Sequence, residues 1–236
     1  MDIHKPKPWH GVREFLKEYI IIVVGVLTAL GAEQGVEWLH WRERAAEGRA
    51  RLVTEIGHHY LVAEERLRVQ SCLDRQLTQI EDRVLASGPT LAPLPLMGPT
   101  SEFPEIYRVP ARSLTASAWQ GVISESLSSH FTEKERGLLP IHYSQFDKFR
   151  ELTTEEDVAA GSLMALSKPL PMDAQIKTNF VSVIEHERLR NRMMGTLARQ
   201  MIRRIENLGY TPNSASRSQW LQASVTLKDC GGLPGR

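Results

Sequence analysis

The sequence is short of nearly everything that would announce a chemistry. Positive and negative side chains balance, with 29 Lys+Arg against 28 Asp+Glu, so no global excess points to nucleic acid or to an acidic partner. Aromatic residues make up only 7% and alternating Val/Thr/Tyr runs are scarce, which argues against a sheet protein. No phosphate-cradling glycine loop, nucleophile elbow, Cys-x-x-Cys pair or zincin helix occurs, so phosphoryl transfer, serine hydrolysis, dithiol redox and zinc proteolysis have no residues to start from. Glycine-rich linkers and internal repeats are missing as well, and in 236 residues there are two cysteines. Long apolar runs are absent too, with one exception.

That exception is the stretch from Tyr19 to Ala32. With Phe15 and Leu16 before it and Val36 after it, it gives a span over residues 13–36 that includes Phe15, Tyr19, Ile20, Ile21, Ile22, Val23, Val24, Gly25, Val26, Leu27 and Leu30. A spanning helix needs roughly 20 apolar residues, and this stretch reaches that length only with its flanks. Each Ile, Val or Leu favours insertion by ~0.3–0.6 kcal/mol, and Glu33 is tolerable near the helix end. Lys17 can return its ammonium to the headgroups, and Tyr19, Trp38 and Trp41 stand where amphipathic rings prefer the membrane interface. A buried core helix and a cleaved signal peptide, with Ala29-Leu30-Gly31 as cleavage site, also fit the run. The anchor is preferred because the run is apolar on every face and helix-forming residues continue past Ala32 without a break.

The string from Arg13 to Gln34, followed by Trp38 and an Arg/Glu/Ala-rich helix, resembles the N-terminus of a group of uncharacterised bacterial single-pass membrane proteins. Cys72, the proline-rich joint, Trp119 and a late cysteine are similar in outline. The resemblance implies an inner-membrane protein with one N-terminal transmembrane helix and a helical C-terminal domain, and it implies no activity.

Strong helix formers dominate between the breakers, so the fold expected is all-α: the anchor runs into a long amphipathic helix packed in an antiparallel bundle. Residues 1–12 are a basic tail, 37–209 the bundle and 210–236 a C-terminal tail. Val53, Ile56, Tyr60, Ala63, Leu67, Leu73, Leu77, Ile80 and Val84 form the seam of a helix ending at Ala86. The same seam fits a coiled-coil dimer, but the later segments supply helices to cover it. Prolines across 87–112 make an extended connection, read as a spacer with Phe103, Ile106 and Tyr107 tacked to the bundle. Ser113 is placed as the cap of a short helix with Trp119 inward, Thr132 and Glu135 as a capping box, Asp173 as the cap of the last long helix and Gly209 as its stop. Pro140 is expected to kink the helix that Thr132 opens. Trp220, Leu221, Val225 and Leu227 are positioned to dock the tail.

For sites, Glu37-x-x-His40 and Glu55-x-x-His58 have the spacing used in dinuclear bundles but lie on one helix, so no metal or other cofactor is expected. The run Arg188, Arg190, Arg192, Arg199, Arg203, Arg204 is interleaved with carboxylates and reads as a solvated face rather than a nucleic-acid surface. In the last seam Glu187 and Arg190, with Asn191 beside them, interrupt the apolar spacing. They read either as an ion pair at the bundle edge or as a ligand-binding site. The lipid bilayer is the first expected partner, then a second copy through the small-residue stripe Gly25, Thr28, Ala29, Ala32 and Gly35, then an unidentified protein. The short basic N-terminal tail favours retention inside, which places the domain on the extracytoplasmic side. In that oxidising compartment Cys72 and Cys230 are expected to pair, whereas a cytoplasmic domain would keep both thiols reduced.

Overall fold

The computed structural model describes residues 11–97 and 104–230. Residues 1–10 of the basic tail and Phe103 fall outside that description, and Val12 already belongs to the first helix. By internal packing the chain divides into two units, residues 1–47 and 48–236, where the sequence reading ended the anchor at 36.

The described part of the first unit belongs to helix α1, Val12–Ala86. An 18-residue window of this helix near the N-terminus has a mean hydropathy of 1.9 and none of it is buried. Phe15, Tyr19, Ile20, Ile21, Ile22, Val24, Val26, Leu27 and Leu30 all stand exposed, and Val23 is intermediate. Such an uncovered run is large for a water-facing surface, where contiguous apolar patches rarely exceed a few hundred Å². At its C-terminal edge the Arg42 guanidinium lies 5.4 Å from the Trp38 ring and that of Arg44 5.3 Å from the Trp41 ring.

The second unit is all-α, built on the rest of α1. After α1 come α2 (Ser117–Ser124), α3 (Glu133–Leu163), α4 (Ala174–Leu208), α5 (Ser214–Ala223) and α6 (Val225–Asp229), with 3₁₀ turns at Leu127–His130 and Met164–Ser167. Several boundaries follow from local chemistry. Thr132 and Glu135 make a reciprocal capping box, and the Asp173 carboxylate accepts from Ile176 N–H at 2.8 Å. Gly209 ends α4 at φ +80°, a conformation that costs glycine least. Pro140 lies inside α3, which runs through it as one element.

Two expectations are corrected. Ser113 does not cap α2; the helix starts at Ser117, its N-cap Ala116 has no capping side chain, and the Glu55 carboxylate of α1 takes over that task. On that helix Val122 is buried and Ile123 exposed. The proline-rich connection is also more than a spacer. Strand β1 (Thr90–Leu91) pairs antiparallel with β2 (Leu170–Pro171), and Leu91, Leu94, Ile106, Tyr107 and Val109 are buried in the core beside Leu73, Leu77 and Leu163. Prolines forbid a helix here but leave side chains free to alternate into the core, and that is what these apolar residues do.

The expected seam of α1 is buried at Ile56, Tyr60, Ala63, Leu73, Leu77, Ile80 and Val84, but Val53 is exposed and Leu67 only half-buried. Between His59 and Arg66 every residue of α1 is buried, charged ones included. Here the helix is surrounded, so it has no solvated face.

Candidate functional site

A helix surrounded by neighbours must bury whatever lies between its apolar positions, and a buried polar group is tolerable only when hydrogen-bonded or paired. Along α1 these groups bind a different element at each turn. Glu55 accepts from Ala118 N–H at 2.9 Å and from the Tyr143 hydroxyl at 2.6 Å, fixing α2 and α3. Glu64 takes both arms of Arg217 at 2.8 and 2.9 Å, and Glu65 takes both arms of Arg112 at 2.7 and 2.8 Å. The Glu65 carboxylate also accepts from Trp220 Nε1 at 3.1 Å and from the Ser224 hydroxyl. These bonds, with the Arg112 guanidinium 4.7 Å from the Trp220 ring, tie the C-terminal helices to α1. Cys72 and Cys230 are joined in a disulfide, with Cα atoms 5.7 Å apart, about two turns further along. Leu221 and Leu227 are buried there, while Val225 is exposed.

The deepest polar cluster joins α1, α3 and α4. Arg66 donates to Glu156 at 2.7 and 2.8 Å and to Asn191 Oδ1 at 2.9 Å, and the Asn191 amide donates to the Gln70 carbonyl at 2.9 Å. Of the three residues singled out on the last helix, Asn191 is thus consumed by the interior. Glu187, 1% exposed, forms an ion pair with Arg190, and Arg190 reaches on to Glu155 at 3.2 and 3.3 Å. Glu187 is in the interior and not at the bundle edge, because α3 covers this face of α4. A groove of about 390 Å³ runs beside it, bordered by Glu155, Glu187, Arg190, Val158, Val183 and His186. Glu187 and Arg190 reach this groove and Asn191 does not. Arg188 of the basic run is likewise paired, with Glu81 and Glu185 at 2.6 Å each.

Of the metal-like spacings, Glu55 is engaged on α2, and His58 Nε2 lies 3.2 Å from the Ser113 carbonyl with its ring edge-on to Trp220. Glu37 instead accepts from Trp41 Nε1 at 3.4 Å. A groove of about 750 Å³ runs over this region between α1 and α2, lined by Arg51, Thr54, Glu55, His58, Ser117 and Gly121 among others.

No family model, curated protein or solved structure matches this chain. Its site chemistry therefore has to be read from its own geometry.

The most unusual pair was not signalled by the sequence. His59 of α1 and His142 of α3 are both fully buried, with His59 Nδ1 3.0 Å from His142 Nε2 and His59 Nε2 2.8 Å from the Thr115 carbonyl. Thr115 O can only accept, so the proton of neutral His59 is on Nε2 and its Nδ1 is the acceptor. His142 must then carry its proton on Nε2, which leaves its buried Nδ1 as a bare lone pair without a partner. Phe146 stacks on His59 at 3.6 Å between centroids. Burial pulls His59 down to about 4, against the opposing pull of the Thr115 carbonyl and Glu55. It pulls His142 down to about 3, with repulsion from His59 and Arg204 adding to it. Both rings are neutral at pH 7. A sequence reading assigns isolated histidines to solvent or core with equal ease, and only the crossing of α1 and α3 pairs these two.

Elsewhere Glu135 receives Arg49 at 2.6 Å, the Tyr210 hydroxyl at 2.5 Å and Thr132 N–H at 2.8 Å. Burial pushes its carboxyl up, but these three donors outweigh that and hold it at about 2. Tyr210, assigned to the tail by sequence, is therefore part of the bundle.

Proposed function

We propose that this chain is a single-pass inner-membrane protein whose helical bundle faces the extracytoplasmic side and acts without catalysis, by binding a protein partner or an envelope component. The observation that carries the reading is the uncovered apolar length of α1 from Phe15 to Val36, edged by the Trp38–Arg42 and Trp41–Arg44 pairs. Rings at the headgroup level with guanidinium groups over them suit an interface that is apolar on one side and wet on the other. The interior supports the non-catalytic part: the buried Arg66, Glu156 and Asn191 side chains bond one another, and the cavity that Arg66 and Glu156 border holds only about 10 Å³, room for no more than a water. A Cys72–Cys230 disulfide fits an oxidising compartment.

The test is alkaline extraction of membranes followed by intact mass. The reading expects the protein to stay in the pellet with the residues before Ala32 retained. Release into the supernatant, or loss of that segment, overturns it.

One observation favours a second reading, in which the groove beside Glu187 and Arg190 holds a small ligand. Its apolar wall of Val158 and Val183 and its single charged end have the composition of a small-molecule site. Ligand-observed NMR on the full chain in micelles decides it: hits that vanish with Glu187→Gln support the groove, and hits indifferent to that change, or none at all, remove it.

A further inference from the structure

We propose that His59 and His142 form a proton-operated latch, which holds the segment carrying α2 against α1 and α3 when neutral and lets it go when the pair takes up a second proton.

The argument rests on what each ring nitrogen can do. His59 is the point where three elements meet: its own helix α1, the Thr115 carbonyl just before α2, and His142 on α3. A single proton has a place to go, because on the bare Nδ1 of His142 it leaves Nε2–H donating to His59. The hydrogen bond survives and is charge-assisted. A second proton has none. It must be placed on His59 Nδ1, which then points an N–H at the N–H of His142 across 3.0 Å, with two cations buried side by side. The low polarity that strengthens a good hydrogen bond makes this arrangement costly. One imidazole has to leave, and His59 leaves with its hold on Thr115.

The surroundings offer little to neutralise the second charge. From α1 the groups facing the pair are Glu55 and His58, from α4 Arg204, and from α3 the Tyr143 hydroxyl and the Phe146 ring. Glu55 is the sole carboxylate among them, and it is already shared by Ala118 N–H and Tyr143. The segment that would be released is also held by Glu55, which accepts from the N–H groups of Ala118 and Trp119, by Arg51 on Glu125 and by His58 at the Ser113 carbonyl. Leu127 and Val122 rest on Gly48 of α1, where a Cβ would come within 2.7 and 3.4 Å of their methyl carbons, and Trp119 stacks on Tyr143 at 4.9 Å. Release would uncover that apolar surface, so the latch is a device for exposing a binding face in acid. It goes beyond the proposed function and does not depend on which side of the membrane the domain occupies.

Trp119 reports the docked state because its ring lies on Tyr143. The experiment uses the full chain in detergent micelles with fluorotryptophan incorporated, following the Trp119 fluorine resonance and helix content at 222 nm from pH 7 downward. The expected result is a Trp119 transition between about pH 4 and about pH 3. It should be steeper than one proton allows and complete before helix content is lost. His142→Gln keeps a donor near the Nε2 position and cannot take up a proton, so it should abolish that transition. If the variant transition stays at the wild-type midpoint, release belongs to Glu55 and the proposal fails. Should the variant be open already at pH 7, the wild-type imidazole nitrogen shifts decide. Protonation of both rings coincident with Trp119 release upholds the latch; Trp119 still docked after both rings are charged, or leaving only with the helices, overturns it.

Discussion

Arg66 of α1 and Glu156 of α3 face each other inside the bundle, 2.7 Å apart, with side chains 3% and 1% exposed. Asn191 of α4 closes the third side of the guanidinium. An ion pair this deep loses the hydration of both charges, so what it contributes is less a gain in stability than a penalty on any arrangement that separates them. It fixes the rotation of three helices about one point.

Removing one partner alone should therefore be severe. Glu156→Gln or Arg66→Met is expected to cost about 3–5 kcal/mol in urea unfolding of the full chain in micelles, because a lone charge is left buried. The double change to Met at both positions should recover most of that loss. Additive losses in the two singles and the double would mean that the pair is not coupled.

The pH dependence of stability should have two limbs. His59 and His142 are held at about 4 and about 3 when folded, below the ordinary value of 6.5. As pH falls below 6.5 the unfolded chain takes up these protons first, so stability drops, by on the order of 3 kcal/mol per histidine by pH 4. Glu135, at about 2 when folded against 4.5, acts in a lower window: its contribution is full above 4.5 and is lost as pH falls toward 2. His142→Gln should flatten the upper limb and leave the lower one. Glu135→Gln should do the reverse and lower stability at pH 7 by on the order of 2 kcal/mol, the worth of hydrogen bonds to a charged group. Denaturant midpoints from pH 7.5 down to about pH 2 measure both.

What the sequence made legible is what is decided within one turn of chain. Thr132 with Glu135, Asp173 three residues before Ile176, and Gly209 at a helix end each satisfy backbone groups beside them, so their residue types alone mark the boundaries. Ser113 looked equally good and failed because Glu55, 62 residues away from Ser117, reached the free N–H groups of α2 first. The same holds for the site. Glu187 and Arg190, with Asn191 beside them, were visible as gaps in an apolar spacing, since α4 has one covered face. Glu65, Arg66 and His59 gave no such signal, because α1 is covered all round at that level and a narrow seam with charges on either side looks like an ordinary surface helix.

Self-association through the anchor has a defined face to test. Gly25 and Gly35 have open space where a side chain would stand, and Ala29 and Ala32 lie on adjacent turns between them, so two backbones can approach closely along this stripe. Crosslinking in native membranes should give a dimer that weakens when Gly25 and Ala29 are both changed to Leu. An undiminished dimer rules this face out.

The disulfide between Cys72 and Cys230 closes a loop with a sequence separation of 158, which encloses most of the bundle. A crosslink across so long a loop removes unfolded-state entropy worth about 5 kcal/mol where the native geometry is unchanged. Its removal should be felt unevenly. Leu227 is buried, Arg108 lies 3.2 Å from Asp229, and Ser224 bonds Glu65, so the last helix keeps part of its hold without the bridge. Cys230→Ser is therefore expected to lower the urea midpoint clearly and to raise amide exchange first in Val225–Asp229, with α3 and α4 protected nearly as before. The bond also bears on where the domain resides, because thiols in a reducing compartment would stay free. Alkylation of freshly lysed cells, with and without prior reduction, reads this directly. Modification only after reduction is the expected result. Two cysteines that alkylate freely in unreduced protein would remove both the bridge and the support it lends to an extracytoplasmic bundle.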